Sequence, residues 1–187
     1  MIRIYPLAFI LLWSSAFITT KPIVDNSDPF SALAFRFFFV AVGFYLFSIY
    51  SKNSIIVKRR NLIESTFSGV LFHGFYLGGV FFSISIGMPA GIAALIVTLQ
   101  PILTNLLSGP ILKERITIKQ WVGALFGFVG AALVLGLDLG SEIPTKGLIA
   151  TVIALIAITT STIWQKKLSN NLPLSVSNFY QAIGGCL

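Results

Sequence analysis

Residues 112–123 read LKERITIKQWVG, a short polar stretch that separates two long apolar runs of the chain. Four of these residues are charged, although only 10% of the 187 residues in the chain are charged. Because a charge inside the hydrocarbon of a membrane costs several kcal/mol, we predict that this stretch is a turn at a membrane surface between two spanning helices. The charged residues are Lys113, Glu114, Arg115 and Lys119.

Thr117 and Gln120 predict where the second of these helices begins. Their spacing is that of a capping box, in which the hydroxyl accepts a backbone N–H and the amide reaches back to the cap. Glu114 precedes the cap, where it can pair with Arg115 or Lys119 or meet the positive end of the helix. We therefore assign Glu114, Arg115 and Thr117 to a cytoplasmic turn rather than to a ligand site.

The composition predicts an all-α fold, a multi-spanning transmembrane helical bundle. The chain is 56% hydrophobic with a mean hydropathy of +0.90, whereas a soluble domain is usually about 45–50% apolar. A helix of about 20 apolar residues crosses the ~30 Å hydrocarbon layer. By this length we predict six spans and the start of a seventh, namely Ile4–Thr20, Phe30–Ile49, Ser65–Ile86, Ala90–Leu112, Ile118–Leu137, Gly147–Trp164 and a helix from Leu174.

The third and fourth spans require a break, because apolar sequence is almost continuous from residue 62 to residue 112. One helix of that length would be more than twice as long as the hydrocarbon is thick. We predict that the chain folds back at Gly87-Met88-Pro89, since glycine tolerates unusual dihedrals and proline fits the first turn of a helix. Pro101 removes a backbone donor from the fourth span and predicts a hinge or a plain kink there.

Basic residues are distributed unevenly between the loops. One alternate set of loops holds ten of them, and the other set holds only Lys21 and Lys146. By the positive-inside rule the N-terminus is cytoplasmic, and the protein is a multi-pass protein of the inner or plasma membrane. Because the basic residues lie between apolar blocks, the net charge of +7 does not indicate nucleic-acid binding. The richer set is Arg3, Lys52, Lys58, Arg59, Arg60, Lys113, Arg115, Lys119, Lys166 and Lys167.

The sequence does not indicate catalysis or cofactor binding. It contains one Cys and one His, which leaves neither an internal disulfide nor a cysteine metal site. All six acids lie in loops or near the ends of spans, whereas an intramembrane enzyme needs convergent acids, nucleophiles or a metal. We therefore expect no enzyme activity, no cofactor and no metal.

A short internal echo predicts two repeats. A shift of 144 residues aligns three residues of the second span with three of the seventh. We predict a first repeat of five transmembrane helices in residues 1–140 and the start of a second repeat in residues 141–187. Because five is odd, the second repeat would enter the membrane from the opposite side, as in many secondary transporters. The aligned pairs are Pro29 and Pro173, Ser31 and Ser175, and Phe35 and Phe179.

Four stretches carry a resemblance to a known family. LLWSSAFITTK at residues 11–21 resembles the first-span L-W-G-S-x-F motif of the EamA-type branch of the drug/metabolite transporter superfamily. ALAFRFFF at 32–39 resembles its second-span A-L-R-F motif, and LPLSVSNFYQ at 172–181 resembles the start of its second repeat. The block 87–135, with its L-x-E-R turn and glycine-rich fifth span, is similar to the family's most recognisable region.

The resemblance implies a secondary transporter that exports small metabolites such as amino acids or related compounds, with the lipid bilayer and a small-molecule metabolite as its partners. Two features depart from the family pattern. Ser14 stands where the first motif usually has Gly, and the sequence ends in the seventh of the ten spans that the family has. The resemblance therefore also implies a C-terminally truncated chain. The alternative is an inactive fragment or a non-transporting membrane scaffold.

Arg36 and His73 are the first candidates for a transport pathway. Arg36 lies within the second span, where an ionisable group faces the bundle interior or water by default. It could instead extend its stem to the outer surface. His73 lies in the third span, where imidazole suits a proton relay. The alternative is a histidine that only satisfies internal hydrogen bonds.

Trp13, Tyr76, Gln100 and Tyr180 are further pathway candidates, because each combines an apolar body with a polar tip. Packing in the core or at the membrane interface is the alternative for each of them. In the fifth span, Gly123, Gly127 and Gly130 form a small-residue stripe that allows close helix contact. We predict packing inside the protein for this stripe, with a homodimer contact as the alternative.

Overall fold

The computed structural model describes residues 4–112, 116–135, 143–168 and 172–187. Glu114 and Arg115 lie outside these ranges. The described residues form helices without strands, which confirms the predicted all-α fold. The helices are α1 (Ile4–Asn26), α2 (Pro29–Tyr50), α3 (Arg59–Ser85), α4 (Ala90–Leu112), α5 (Ile118–Leu135), α6 (Thr145–Leu168) and α7 (Leu174–Cys186).

Four of the described helices, α2, α3, α4 and α6, are long and apolar enough to cross a membrane. The apolar part of α5 is shorter and covers Ile118–Leu133. Large hydrophobic side chains such as Leu12, Phe126 and Leu133 are exposed on the surface of the bundle. Apolar surface of this extent fits lipid rather than water, and it supports the multi-spanning bundle.

The first helix is longer than predicted. We expected it to end at Thr20, but it continues to Asn26. Lys21 and Asp25 pair across one turn, with Nζ and Oδ1 2.7 Å apart, and such pairs support an exposed helix. The charges therefore extend the helix beyond its apolar part rather than ending it. In the same way α3 begins at Arg59 instead of Ser65, with Arg60 paired to Glu64.

Both predicted turns between helices are confirmed where the structure describes them. Gly87 has a φ of +96°, and Pro89 immediately precedes α4. At the start of α5 the Thr117 N–H donates to Gln120 Oε1 at 2.8 Å, and the Gln120 N–H donates to Thr117 Oγ1 at 3.4 Å. These reciprocal hydrogen bonds are the predicted capping box.

Two irregular segments interrupt the long helices. The middle of α3, Val70–Leu77, is wound as a π-helix, which the sequence did not predict. π-Helical segments occur frequently at functional sites. In α4 the helical winding breaks at Thr98 and Leu99, just before Pro101, and resumes at Gln100. The break lies where the proline was expected to disturb the helix.

Helix α3 lies at the centre of the bundle, because it packs against α1, α2, α6 and α7. Helix α7 packs extensively against both α3 and α2, and α6 also packs against α4. Helices from both predicted repeats therefore pack against one another. The division into repeats at residue 140 stays a prediction.

Among the glycines that the structure describes, the tightest helix contacts lie between α3 and α7 and not at the glycine stripe of α5. A Cβ at Gly69 would overlap the backbone carbonyl of Gln181, and a Cβ at Gly184 would overlap the carbonyl of Thr66. In contrast, no described atom lies within 4 Å of a Cβ built at Gly123, Gly127 or Gly130. The expected internal contact of this stripe is therefore not seen in the described residues, because α5 lies at the edge and packs chiefly against α4. A homodimer contact through the stripe stays a prediction.

Candidate functional site

Three of the predicted pathway residues meet in one aromatic cluster, which consists of Trp13, Phe37, Phe72, His73 and Tyr76. The ring of Trp13 stacks on Tyr76 with centroids 6.4 Å apart and planes 10° apart. Phe72 contacts both Tyr76 and His73 edge to face, at 5.4 and 5.1 Å. The π-helical segment supplies Phe72, His73 and Tyr76, while α1 and α2 supply the other two rings.

His73 is the polar centre of the aromatic cluster. Its Nδ1 atom is buried and has no hydrogen-bond partner among the described residues. A buried polar atom without a partner costs about 1–3 kcal/mol, so this imidazole is not explained by a satisfied hydrogen bond. Native proteins contain few buried polar atoms without a hydrogen-bond partner, so each of them needs an explanation. A proton-relay role for His73 stays a prediction.

A groove of about 720 Å³ opens beside His73. Phe30 and Ser31 line it at the start of α2, Phe82 lines it near the end of α3, and Ala150 lines it near the start of α6. The groove therefore lies at the end of the bundle opposite the Thr117 turn. Its lining is mostly apolar, and His73 is the imidazole that faces it. An apolar groove with few polar groups is the usual form of a small-molecule site.

Arg36 lies next to the aromatic cluster rather than within it. Its side chain is exposed on α2 and does not line the groove. Its guanidinium carbon lies 5.8 Å from the centroid of the Phe37 ring, a cation–π geometry. The ring of Phe37 in turn lies 4.1 Å from the imidazole of His73. The ring of Phe37 thus contacts both the guanidinium of Arg36 and the imidazole of His73.

Gln100 and Tyr180 are placed elsewhere in the bundle. Gln100 Nε2 donates to Thr104 Oγ1 at 3.1 Å and to Thr162 Oγ1 at 3.3 Å, which joins α4 to α6. The Tyr180 hydroxyl donates to the carbonyl of Ile55 at 2.8 Å, which holds α7 against the α2–α3 loop. Neither residue contacts the aromatic cluster through these bonds. The hydrogen bonds assign them a tertiary packing role, and a role in the pathway stays a prediction.

The sequence analysis missed a buried layer of hydroxyl and amide groups between α3, α6 and α7. Ser68 Oγ and Ser161 Oγ are 3.0 Å apart, and Gln165 Nε2 donates to Ser161 Oγ at 3.2 Å. Gln181 Nε2 donates to Ser177 Oγ at 3.0 Å. Serine is common in apolar helices, so no single serine in the sequence indicated that it belongs to a buried polar layer. The spacing of four residues between each serine and its glutamine was the available signal.

A metal site has no support in the part of the chain that the structure describes. Within those ranges no group of three or more His, Cys, Asp or Glu side chains lies close enough to hold an ion. His73 is surrounded by aromatic rings rather than by carboxylates. The chemistry that this cluster offers is proton binding at the imidazole and apolar contact at the rings.

The chain resembles known proteins in sequence. Residues 3–136 match the profile of the EamA-like transporter family. The chain is 24% identical to a "Probable amino-acid metabolite efflux pump" of Salmonella typhimurium over 168 residues, which cover 89% of this chain and 54% of that protein. No solved structure matches the chain.

Two further relatives show the same partial coverage. The chain is 27% identical to the "Uncharacterized transporter YyaM" of Bacillus subtilis, with 98% of this chain and 62% of that protein covered. It is 30% identical to "Protein PecM" of Dickeya dadantii, with 83% of this chain and 50% of that protein covered. The chain thus spans roughly half the length of these curated relatives.

Proposed function

The chain belongs to the EamA-like transporter family, and from this premise we propose that the protein is a membrane secondary transporter that exports small metabolites such as amino acids or related compounds. The family match over residues 3–136 carries the proposal. The substrate class is supported by the efflux-pump names of the relatives in Salmonella typhimurium and Escherichia coli. The apolar, lipid-compatible surface of the helices supports a location in the membrane.

The proposed pathway passes beside the aromatic cluster of Trp13, His73 and Tyr76. The Nδ1 atom of His73, which has no hydrogen-bond partner among the residues that the structure describes, supports this position beside the groove. Imidazole is the side chain whose protonation changes near neutral pH, so His73 is proposed to exchange a proton during export. His73 lies within the π-helical segment Val70–Leu77. The stacked rings of Trp13 and Tyr76 belong to the same aromatic cluster.

The proposed orientation places the N-terminus, the Thr117 turn and the α6–α7 connection in the cytoplasm. Ten basic residues in this set of loops, against two in the other set, support it. The groove beside His73 then opens toward the outside, because it lies at the end of the bundle opposite the Thr117 turn. This is the end at which an exporter releases its substrate.

Efflux from vesicles tests the proposed function. The purified protein is reconstituted, the vesicles are loaded with single radiolabelled amino acids, and release is measured with and without an inward proton gradient. We expect saturable release that differs between amino acids and increases with the gradient. A correctly folded protein that gives only the leak rate of empty vesicles would contradict the proposal. That result would favour the alternative of a non-transporting scaffold or an inactive fragment.

A further inference from the structure

The connection between α2 and α3 exposes basic and large apolar side chains together. Residues 51–58 join two helices that are each long enough to cross a membrane, so this loop lies at a membrane surface. Tyr50 and Ile56 are 85% and 92% exposed, which places them among the most exposed large apolar residues that the structure describes. We call the exposed residues of this region the α2–α3 patch, which consists of Tyr50, Lys52, Ile56, Lys58 and Arg59.

The charge of the α2–α3 patch is positive and is not neutralised within the chain. Lys52, Lys58 and Arg59 make no ion pair with any residue that the structure describes. The neighbouring Arg60 is paired with Glu64, with Nε and Oε1 2.7 Å apart, so the acid of this segment is already engaged. Lys58 and Arg59 lie at the N-terminal end of α3, where the helix dipole disfavours cations. The stability of α3 therefore does not account for these charges, whereas an anionic partner outside the chain does.

Two hydrogen bonds from α7 fix the loop that carries the α2–α3 patch. Asn53 Nδ2 donates to Ser175 Oγ at 3.1 Å. The Tyr180 hydroxyl donates to the carbonyl of Ile55 at 2.8 Å, and the next residue along the chain, Ile56, is left exposed. A loop that is already fixed loses little conformational freedom when a partner binds to it.

An anionic phospholipid has the chemistry that matches this patch. Its phosphate accepts hydrogen bonds from ammonium and guanidinium groups. The boundary between its headgroup and its acyl chains takes up an apolar side chain such as that of Ile56. Tyrosine is also enriched at the headgroup level of membranes, which suits Tyr50 at the end of α2. A soluble anion would pair with the cations but would leave both of these side chains in water.

We propose that the α2–α3 patch binds an anionic phospholipid, with the headgroup phosphate at Lys52, Lys58 and Arg59 and with Ile56 inserted at the edge of the acyl chains. Each basic residue beside a spanning helix strengthens the attraction to an anionic membrane surface about fivefold. The inference goes beyond the proposed function and does not depend on export, because it requires only that α2 and α3 span a membrane.

Competition between lipids tests the proposal without any transport step. The purified full chain in detergent micelles is incubated with radiolabelled dioleoyl phosphatidylglycerol, and the retained lipid is measured against unlabelled competitors. Dioleoyl phosphatidylcholine has the same acyl chains without net charge, and glycerol 3-phosphate has the phosphate without acyl chains. We expect each to compete at least about tenfold more weakly than phosphatidylglycerol. Equal competition by phosphatidylcholine would overturn the charge recognition, and equal competition by glycerol 3-phosphate would overturn the lipid in favour of a soluble anion.

Variants locate the lipid at the α2–α3 patch. The double variant Lys58→Gln/Arg59→Gln is expected to weaken phosphatidylglycerol binding by about tenfold or more, and Lys58→Arg/Arg59→Lys to retain most of it because the charges are kept. Lys119→Gln/Lys146→Gln is the matched control, since it removes two exposed charges from α5 and from the start of α6. Ile56→Ser is expected to weaken binding about fivefold, and Ile56→Leu to leave it unchanged.

The results separate this site from the proposed function. Wild-type affinity in Lys58→Gln/Arg59→Gln, or an equal loss in the control, would overturn the headgroup site even if vesicles export amino acids. Wild-type affinity in Ile56→Ser would overturn the insertion of this side chain. Loss confined to the patch variants without any efflux would leave the lipid site standing and contradict the transporter. Each variant is first compared with the wild type by size-exclusion chromatography, and if the double variant does not fold, Ile56→Ser against Ile56→Leu decides the outcome.

Discussion

The ring of Phe37 lies 4.1 Å, centroid to centroid, from the imidazole of His73, where α2 meets the π-helical segment of α3. The guanidinium of Arg36 lies 5.8 Å from the centroid of the same ring. A cation, an aromatic ring and a half-buried imidazole therefore follow one another across this contact. Phe37 itself is buried, so the arrangement is part of the packed core of the bundle.

Arg36 is expected to influence export through this contact. We expect Arg36→Gln to reduce the efflux rate by about tenfold or more, because the charge beside Phe37 is lost. Arg36→Lys keeps the charge but loses the planar group, so an intermediate rate is expected. Efflux is compared at equal protein abundance in vesicles. Unchanged rates in both variants would show that Arg36 only extends toward the membrane surface.

The close contact between α3 and α7 predicts a difference between two glycines. Gly184→Ala is expected to destabilise the fold by about 1–3 kcal/mol, because its Cβ would overlap backbone atoms of Thr66 and Val70. Gly127→Ala is expected to be neutral or to stabilise by up to about 1 kcal/mol, since the site is open and alanine favours helix. Thermal unfolding in detergent measures both. Equal unfolding temperatures in the two variants would contradict the contact.

The helices of this fold were predictable because each obeys a rule of length and hydropathy that acts locally. The turn at Gly87, the capping box at Thr117 and the start of α7 at Leu174 were all found where expected. The ends of α1 and α3 were misjudged, because charged residues in i,i+4 pairs continue a helix past its apolar part. The hydropathy of the sequence indicates where the apolar part of a helix ends, but it does not indicate where the helix itself ends.

The candidate site was predictable in its residue types but not in its arrangement. Trp13, His73 and Tyr76 were chosen one by one as polar-tipped residues in spans, and the fold brings them into one cluster. The π-helical winding of Val70–Leu77, which contains His73 and Tyr76, has no sequence signal of its own. The close contact at Gly184 was missed because it joins helices more than one hundred residues apart, and no local pattern records such a pair.

Asp28 predicts a pH dependence at the start of α2. The Ser31 backbone N–H, which donates to Asp28 Oδ2 at 2.8 Å, lowers the pKa of this carboxyl below its ordinary value of 3.8. Because the folded pKa is lowered, the stabilisation is fully present above the ordinary value and is lost as the pH falls through the folded pKa. Asp28→Ala should therefore lower the unfolding temperature more at pH 7 than at pH 3. Asp28→Asn keeps the cap and is the control. An equal difference between Asp28→Ala and wild type at both pH values would contradict this assignment.

The proposed orientation predicts the location of three fusion points. A reporter that is active only in the cytoplasm should be active after Tyr50 and after Arg115, and inactive after Asn26. The reason is the uneven distribution of basic residues between the two sets of loops. A reporter active only outside the cytoplasm should give the opposite pattern. An outside signal after Arg115 would reverse the orientation, and the groove beside His73 would then face the cytoplasm.

The central claim is that a metabolite is exported along a path beside His73, whose imidazole exchanges a proton. The most direct test is amino-acid efflux from vesicles with and without a proton gradient, for the wild type, His73→Gln and Phe126→Leu. Phe126 is 74% exposed on α5 and serves as a control on the surface. We expect the gradient to stimulate efflux by the wild type and by Phe126→Leu, and His73→Gln to lose this stimulation while remaining folded. Equal stimulation in all three proteins would contradict the account.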